Sequence, residues 1–351
     1  MLDIAALTAG RDVPSTRFRM RQHFPRLAAA GLRVTEYCPP VGKYAEWPLL
    51  GPRVAFRYKA PFTALLWAAK TATRLPGLLG SWRSDITWLS RDLVVGLPTL
   101  EPLLGKPLVL DVDDAVWCTW PFGRQAARRT ARHSDLVIAG NATLAAWFSE
   151  HAPRVEVVPT AVDIHRFAPA GRRASRDGLV LGWIGSASNL PYLEAIVPAL
   201  HEVMRHCPEV WLRVVADAPP QLAPLDPARV EFIHWTAAGE GDAVRGMDIG
   251  LMPLPDDEWT RGKCSLKMLQ YLACGIPVAV SPVGMNGEVL AQAETGFGPR
   301  NHDEWVDALL ALRNDATQRE RLGRNGRLLV ERLYATDVIA ARLASLFLTL
   351  R

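Results

Sequence analysis

The sequence predicts an α/β protein built from two Rossmann-like domains, each with a doubly wound parallel sheet. A chain of 351 residues exceeds the usual size of a single hydrophobic core. Short apolar, β-branched runs alternate with longer stretches of helical periodicity, which is the pattern of parallel strands with helical crossovers. A polar, turn-rich segment at Ala168–Asp177 separates two such series. We therefore place one domain at 1–168, a second at 169–335, and a last helix at 336–351 that packs back on the first domain.

Six strands are predicted in the first half of the chain and five in the second. In the first half they are Ile4–Leu7, Arg33–Tyr37, Ile86–Leu89, Leu108–Asp111, Leu136–Ala139 and Val155–Val158. In the second half they are Leu179–Ile184, Trp211–Ala216, Val230–His234, Ile249–Met252 and Val278–Ser281. The predicted crossovers include Arg17–Ala30, Ala142–Glu150, Leu190–His206, Ser265–Cys274 and Asp303–Arg313. Ligands of such sheets bind beyond the carboxyl ends of the strands, so two sheets facing each other predict a cleft between the domains.

Composition excludes several classes of protein. The net charge of +4 is too weak to indicate a nucleic-acid partner. The five cysteines form no CxxC pair, which argues against a disulfide framework or a zinc site and suits a reducing cytoplasm. The amino terminus lacks the layout of a signal peptide, and no uncharged apolar run approaches the ~20 residues that span a bilayer. We expect a cytoplasmic protein without a structural metal.

The stretch from Gly262 to Gly284 is the most informative part of the sequence. On a helix, Lys263, Lys267 and Gln270 share one stripe, and most other positions are apolar. Such a helix is buried, so its two lysines must meet an anion or reach a cavity. A diphosphate at the helix amino terminus would satisfy them. The alternative is that both side chains extend from the first turn into solvent.

The same stretch resembles the retaining glycosyltransferases of the GT-B fold, in family four (group 1). That family has two glutamates eight positions apart, followed by A-x-G-x-P-V-V-x-S. This chain has ACGIPVAVS at Ala273–Ser281, then Val283-Gly284 and Glu288, whereas Gly262 and Gln270 stand at the two glutamate positions. The segments at Pro159–Asp163 and Asp248–Leu254 are also similar to family segments. The resemblance covers most of the chain.

The resemblance implies a donor site for a nucleoside diphosphate sugar in the second half of the chain. The family often carries an arginine and a lysine after its V-G, but here Gly185 is followed by Ser186, Ser188 and Asn189. By charge, Lys263 and Lys267 become the phosphate ligands, and Gln270 takes the position of the ribose-binding glutamate. Gly185 would let the backbone approach the diphosphate. The remaining donor-site candidates are Ser186, Ser188, Trp235, Ser265 and Glu288.

His234 and Trp235 end a strand in the region where the family holds the nucleotide base. The alternative is that either side chain is packed in the core.

In the first half, a predicted strand runs into three carboxylates, Asp111, Asp113 and Asp114. Three oxygen ligands would suit a divalent cation, and a helix cap would account for one of them. The resemblance instead implies active-site carboxylates, because many relatives have His-Asp at this strand end. It also implies chemistry without a metal. We predict that Asp113, with Asp111 or Asp114, contacts the transferred sugar or the acceptor hydroxyl.

Two further positions are candidates for lining the cleft. Arg17 follows the first strand, where Ser15 is a plausible helix N-cap, and its side chain would face the donor phosphate or an anionic acceptor. For Arg19, two residues on, covering the helix surface is the favoured interpretation. Asn141 follows a strand and a glycine, and the alternative to a place in the cleft is helix capping.

Residues 53–88 mix basic residues with aromatic ones, among them Arg53, Arg57, Lys59, Lys70, Arg74, Arg83, Phe56, Phe62, Trp67 and Trp82. Packing of two amphipathic helices on the sheet is the favoured interpretation. Peripheral contact with the inner face of a membrane is the alternative hypothesis.

Together these observations predict a glycosyltransferase that transfers a sugar with retention of configuration from a nucleoside diphosphate sugar. The donor is a co-substrate, and no cofactor is expected. The acceptor would be a glycan, a lipid-linked molecule or a small molecule carrying a hydroxyl. Two rivals stay open: a catalytically degenerate partner subunit that binds nucleotide sugar, and a GT-B epimerase or phosphorylase.

Overall fold

The computed structural model describes residues 1–11, 13–42, 56–169 and 178–350, with the side chains of 56–61 left out. Most of the boundary predicted at Ala168–Asp177 therefore lies outside the described residues, as does Arg53. The chain divides into two compact units. The first contains Met1–Thr160 and the chain from Ile339 onwards, and the second contains Ala161–Val338.

The first unit contains one sheet of six parallel strands in the order β2-β1-β3-β4-β5-β6. These strands are β1 (Leu2–Leu7), β2 (Leu32–Tyr37), β3 (Ile86–Ser90), β4 (Leu108–Val112), β5 (Leu136–Ala139) and β6 (Val155–Val157). Its helices are α1 (Phe24–Ala29), α2 (Phe56–Ala72), α3 (Leu75–Ser81), α4 (Gly123–His133) and α5 (Ala142–Ser149). The central strands β3, β4 and β5 are buried along their whole length, as expected for a sheet covered on both faces.

The second unit repeats this plan with a six-stranded parallel sheet in the order β12-β11-β10-β7-β8-β9. Its strands are β7 (Leu179–Ile184), β8 (Val210–Ala216), β9 (Val230–His234), β10 (Ile249–Met252), β11 (Val278–Val280) and β12 (Gly296–Phe297). Its helices are α6 (Leu190–Glu194), α7 (Val197–His206), α8 (Glu240–Arg245), α9 (Glu258–Arg261), α10 (Leu266–Ala273), α11 (Met285–Gln292), α12 (His302–Asn314) and α13 (Ala316–Leu333). The core packs β7, β8 and β10 against α7 and α12.

The last helix, α14 (Thr336–Leu348), follows α13 without an intervening strand. Its carboxyl-terminal part clusters with the first unit. There the ring of Phe347 packs edge-on against that of Trp88 in β3, with 5.0 Å between ring centroids. Arg154 donates to the Thr349 hydroxyl beyond the helix.

The predicted fold class is confirmed: each unit is a Rossmann-like parallel sheet with helical crossovers. Every predicted strand is present, and only β12, two residues long, was missed. Two predicted helices are broken. Arg17–Ala30 consists of a π-helical turn, a 3₁₀ turn and α1, and Leu190–His206 is divided between α6 and α7. Among the described residues, no helix is both long enough and apolar enough to cross a bilayer.

Candidate functional site

The strand order reverses at one point in each sheet, and some of the candidate residues lie in the chain that follows the strands there. In the second unit the reversal lies between β7 and β10, so the loop after β7 and the chain after β10 flank it. In the first unit β1 and β3 occupy the corresponding positions. Crevices at such reversals are where open α/β sheets bind ligands.

Lys267 and Gly185 meet at the reversal in the second unit. Lys267 is the second residue of α10, and its Nζ lies 4.4 Å from the centroid of the Trp183 ring. A Cβ atom on residue 185 would collide with this Nζ. Burial, together with the smaller effect of the nearby Lys263 charge, lowers the pKa of Lys267 to about 7. Lys267 is half-buried, and no carboxylate pairs with it within the described part of the chain. The site therefore offers a partly desolvated ammonium group to an anion.

Lys263 is not on the helix that the sequence stripe predicted. Helix α10 begins at Leu266, because Ser265 has a left-handed backbone with φ of 50°. Lys263 instead lies in the turn between α9 and α10, where its Nζ is 5.3 Å from the Trp259 ring centroid and 5.8 Å from that of Tyr192. The prediction that both lysines project from one helical stripe is therefore wrong, although they remain close enough to interact electrostatically.

Ser265 is buried and serves the local structure. Its Oγ donates to Oδ1 of Asn286 at 2.7 Å, and the Asn286 amide donates to the Ser281 carbonyl at 3.0 Å. These bonds tie the start of α10 to the chain that follows β11. Left-handed backbone in a non-glycine residue costs roughly 1 to 2 kcal/mol. Ser265 and Arg91 are the two non-glycine residues with positive φ in the described ranges, and both lie at a predicted site.

The loop after β7 is a small polar cluster. The Ser186 and Ser188 hydroxyls are 3.0 Å apart, and the Asn189 amide donates to Ser186 at 2.6 Å. The backbone N–H of Ala187 donates to Asp217, which follows the neighbouring strand β8. Both serines are exposed, so their hydroxyls are available to a ligand at this edge.

Gln270 has a partner that the sequence did not reveal. Its amide donates to Glu240 Oε1 at 2.8 Å, and Glu240 also pairs with Arg166 at 2.9 Å. Gln270 and Glu240 are both buried. A carboxylate therefore lies directly beside the position where the sequence lacks one. The two are 30 residues apart, and no spacing motif connects them.

Trp235 and Glu288 occupy partly open positions. Trp235 follows β9 and is half-buried, while His234 is exposed, so the alternative of a packed core residue is wrong for His234. Glu288 lies in the first turn of α11 and is also half-buried, and burial raises the pKa of its carboxyl.

Asp111 and Arg19 form a buried ion pair in the first unit. Arg19 Nε donates to Asp111 Oδ1 at 2.8 Å, and its Nη1 donates to the Val158 carbonyl at 2.7 Å. Asp111 is 2% exposed and Arg19 is 4% exposed. Burial raises the pKa of Asp111, and the charge of Arg19 opposes that shift. The expectation that Arg19 covers the helix surface is therefore wrong.

Asp113 and Asp114 leave the end of β4 and share one arginine. Arg91, which follows β3, binds Asp113 through Nε and Asp114 through Nη2. Its backbone is left-handed with φ of 55°, and its N–H donates to the Asp111 carbonyl at 2.9 Å. Arg91 was missed because its link to the acids joins two neighbouring strands. The carboxylates are more accessible than Asp111, so they can take part in hydrogen bonds to a ligand.

Two capping predictions change. Ser15 has a helical backbone and makes no cap hydrogen bond, so the prediction that it is an N-cap is wrong. Asn141 is buried and accepts the N–H of Leu144 at 2.8 Å, so it is the N-cap of α5 and does not line an open surface.

Arg17 is half-buried, with its guanidinium 4.9 Å from the Phe18 ring centroid. No group of three or more His, Cys, Asp or Glu side chains suited to a metal occurs in the described ranges.

Residues 178–315 match the family described as Glycosyl transferases group 1. The chain is 26% identical over 303 residues to the D-inositol 3-phosphate glycosyltransferase of Nocardia farcinica, covering 75% of this chain and 65% of that one. It spans less than two thirds of the length of the inositol phosphate glycosyltransferases that it matches. It is also 26% identical over 347 residues to the GDP-mannose-dependent alpha-(1-6)-phosphatidylinositol monomannoside mannosyltransferase of Mycolicibacterium smegmatis, with 88% of each chain covered.

Solved structures share the fold at low sequence identity. The sucrose-phosphate synthase of Thermosynechococcus elongatus superimposes with a TM-score of 0.74 at 15% identity, covering 100% of this chain and 99% of that one. The Anabaena protein HepE in complex with UDP-glucose gives a TM-score of 0.71 at 14% identity, with 100% of both chains covered. This is the GT-B type of architecture that the sequence resemblance implied.

Proposed function

We propose that this protein is a glycosyltransferase that moves a sugar from a nucleoside diphosphate sugar to an acceptor hydroxyl with retention of configuration. The observation that carries the proposal is Lys267, a partly desolvated cation without a described carboxylate partner, held against Gly185 where the strand order reverses. The family match at 178–315 supports the same assignment, because it covers this region.

In this proposal the second unit stabilises the leaving group. When the bond between the anomeric carbon and the phosphate oxygen breaks, the electron pair and its negative charge go to the nucleoside diphosphate. Lys267 and Lys263 would stabilise that charge, and a cation in a water-poor site does so more strongly than one in water. Ser186 and Ser188 would donate to phosphate oxygens. Gln270, held by Glu240, would face the ribose.

The first unit would provide the acid pair near the reacting sugar. Asp113 and Asp114 are held by Arg91 and remain partly accessible, whereas Asp111 is enclosed with Arg19. We therefore assign contact with the transferred sugar or acceptor hydroxyl to Asp113 and Asp114, and a structural role to Asp111. We propose that this chemistry uses no metal.

The acceptor would be a glycan, a lipid-linked molecule or a small molecule that carries a hydroxyl group. Relatives named for inositol phosphate and phosphatidylinositol mannoside acceptors favour a phosphorylated or lipid-linked one. Peripheral membrane contact through 53–88 belongs to this proposal and rests on exposed Phe62, Leu65 and Trp82. Arg74 does not contribute, because it is buried and donates to the Thr8 carbonyl.

The first experiment is a thermal-shift screen with UDP, GDP, dTDP and ADP, since a tight ligand raises apparent stability by mass action. The base that binds then selects the sugar donors for a turnover assay. We expect Lys267→Ala to reduce turnover at least a hundredfold, on the order of one lost charge contact at a developing anion. Near-normal turnover of a folded Lys267→Ala protein would refute the assignment of Lys267 to the leaving diphosphate.

One observation favours a second candidate, a partner subunit that binds nucleotide sugar without turnover. Gly262 and Gln270 stand where the resembled family has glutamates. Nucleotide binding with no release of nucleoside diphosphate, across a panel of glycan and lipid acceptors, would support it. Conversion of the nucleotide sugar without any acceptor would instead favour an epimerase.

A further inference from the structure

Helix α4 presents a cationic face that the proposed chemistry does not use. Its buried side is made of small residues: Gly123, Ala126, Ala127, Thr130 and Ala131. Its other side exposes Arg124, Arg128, Arg129, Arg132 and His133. The chain contains no acidic residue between Asp114 and Asp135. The helix is about 16 Å long at the α-helical rise, so this face is a continuous strip of positive charge.

The arrangement works against the stability of the helix. Arg124, Arg128 and Arg132 follow each other at i, i+4 spacing, where like charges repel by a few tenths of a kcal/mol per pair. Arg124 also lies in the first turn, where the helix dipole disfavours a cation, and the helix has neither a side-chain cap nor an acidic residue there. The cation in the first turn and the like-charge repeat are locally unfavourable, whereas Arg132 and His133 in the last turn suit the helix dipole. The repeat of three arginines is therefore better explained by an external anion.

Exposed aromatic side chains lie at the amino end of this strip. Trp120 is 67% exposed and Phe122 is 51% exposed. Their loop is fixed, because the Phe122 N–H donates to the Gly96 carbonyl at 3.0 Å and the Gly123 N–H donates to the Thr119 carbonyl at 2.9 Å. Trp120 also contacts Trp67 of α2, with 6.4 Å between ring centroids. Large apolar side chains held in water at one end of a basic helix mark a binding surface.

We propose that α4 and the loop 119–122 form a docking surface for an anionic lipid bilayer. The arginines would lie over the lipid headgroups, and Trp120 and Phe122 would enter the boundary between headgroups and acyl chains. This builds on the peripheral contact proposed for 53–88 but stands on different residues. A soluble polyanion would match the arginines equally well and would leave the two aromatic side chains without a role, so the bilayer explains more of the surface.

The test is cosedimentation of the 351-residue chain with vesicles of phosphatidylcholine alone or mixed with phosphatidylglycerol. The charge variant is R124Q/R128Q/R132Q, and its matched control is R205Q/R324Q/R332Q, which removes three exposed arginines of the second unit. The apolar variant is W120S/F122S, with F232S of the second unit as its control. Nucleotide binding by each variant reports on the donor site separately, so failure of the proposed transferase and failure of this surface are distinguishable.

We expect binding to anionic vesicles only, reduced on the order of a hundredfold by the α4 charge variant and several-fold by W120S/F122S, with both controls unchanged. The thermal midpoint of the charge variant should be equal to or above that of the wild type, because repulsion is removed. Equal loss in the control triple would show a net-charge effect and overturn the proposal. The proposal would also be overturned if dextran sulfate competed with the vesicles for the protein while W120S/F122S bound vesicles normally. That result would assign the cationic face to a polyanion. Loss of binding in L79S/W82S alone would move the contact to 53–88 and also refute it.

Discussion

The Nζ atom of Lys267 lies where a side chain on residue 185 would begin, and Gly185 leaves that space open. The backbone N–H of Gly185 is already fixed, since it donates to the Val215 carbonyl at 2.9 Å. The ring of Trp183 covers the ammonium group on a second side. The lysine therefore cannot move toward β7 without displacing the loop that carries Ser186 and Ser188.

Gly185→Ala should displace Lys267 and weaken binding of the nucleoside diphosphate about tenfold or more, because the charge would move away from the phosphate. Isothermal titration with the nucleotide chosen by the thermal-shift screen measures the change. Gly42→Ala is the matched control, because a Cβ at residue 42 meets no atom within 4 Å. Equal binding by the two variants would contradict the proposed contact.

Lys267→Met should separate stability from function. The folded protein holds the pKa of this lysine below its value in the unfolded chain. Protonation therefore opposes folding most strongly below about pH 7, and the penalty disappears as pH rises toward the unfolded value. Methionine fills the same space without charge, so we expect about 1 to 2 kcal/mol of added stability together with loss of nucleotide binding. Denaturant unfolding at pH 7 gives the first quantity. A destabilised variant would indicate a structural role for the charge.

Donor affinity should depend on pH through the same group. Lys267, with a pKa of about 7, is mostly neutral above pH 8. The proposed contact with the diphosphate, however, requires the protonated, positively charged lysine. Affinity for a nucleotide sugar, whose diphosphate keeps its charge in this range, should fall as pH rises above 7, by up to about tenfold per unit. Binding titrations at several pH values from about 6 to about 9, a range that brackets this pKa, measure how donor affinity changes with pH.

Two variants test the origin of that slope. Lys267→Arg stays charged throughout and should bind independently of pH. Lys263→Gln removes the charge that helps to lower the pKa of Lys267, so its decline should begin at higher pH. An unchanged slope in Lys267→Arg would assign the titration to another group.

The sequence predicted the sheets better than the sites, for a physical reason. Strands such as β7 and β10 are continuous apolar runs, so the local sequence is enough to predict that they are buried. The pairs at the sites join distant parts of the chain, as Arg19 with Asp111 and Gln270 with Glu240 do. Charge counting selected Lys267, whose role as a phosphate ligand stays a prediction, and it placed Lys263 on the helix because nothing local predicts the left-handed backbone at Ser265.

Substitutions at Arg91 should separate its backbone strain from its charge. The residue has φ of 55° and binds both Asp113 and Asp114. Removing the guanidinium leaves two partly buried carboxylates without a cation, so Arg91→Ala and Arg91→Gly should both destabilise the protein by about 2 kcal/mol or more. Glycine adopts this backbone without a steric penalty, so Arg91→Gly should be more stable than Arg91→Ala by about 1 kcal/mol. Chemical denaturation of the three proteins measures both differences. If the Arg91→Ala protein were as stable as the Arg91→Gly protein, the left-handed backbone at residue 91 would carry no strain. The free-energy cost that we infer for the backbone of both Arg91 and Ser265 would then be absent at Arg91. Turnover adds the functional comparison: both variants should lose activity equally, because the carboxylates lose the same partner in each.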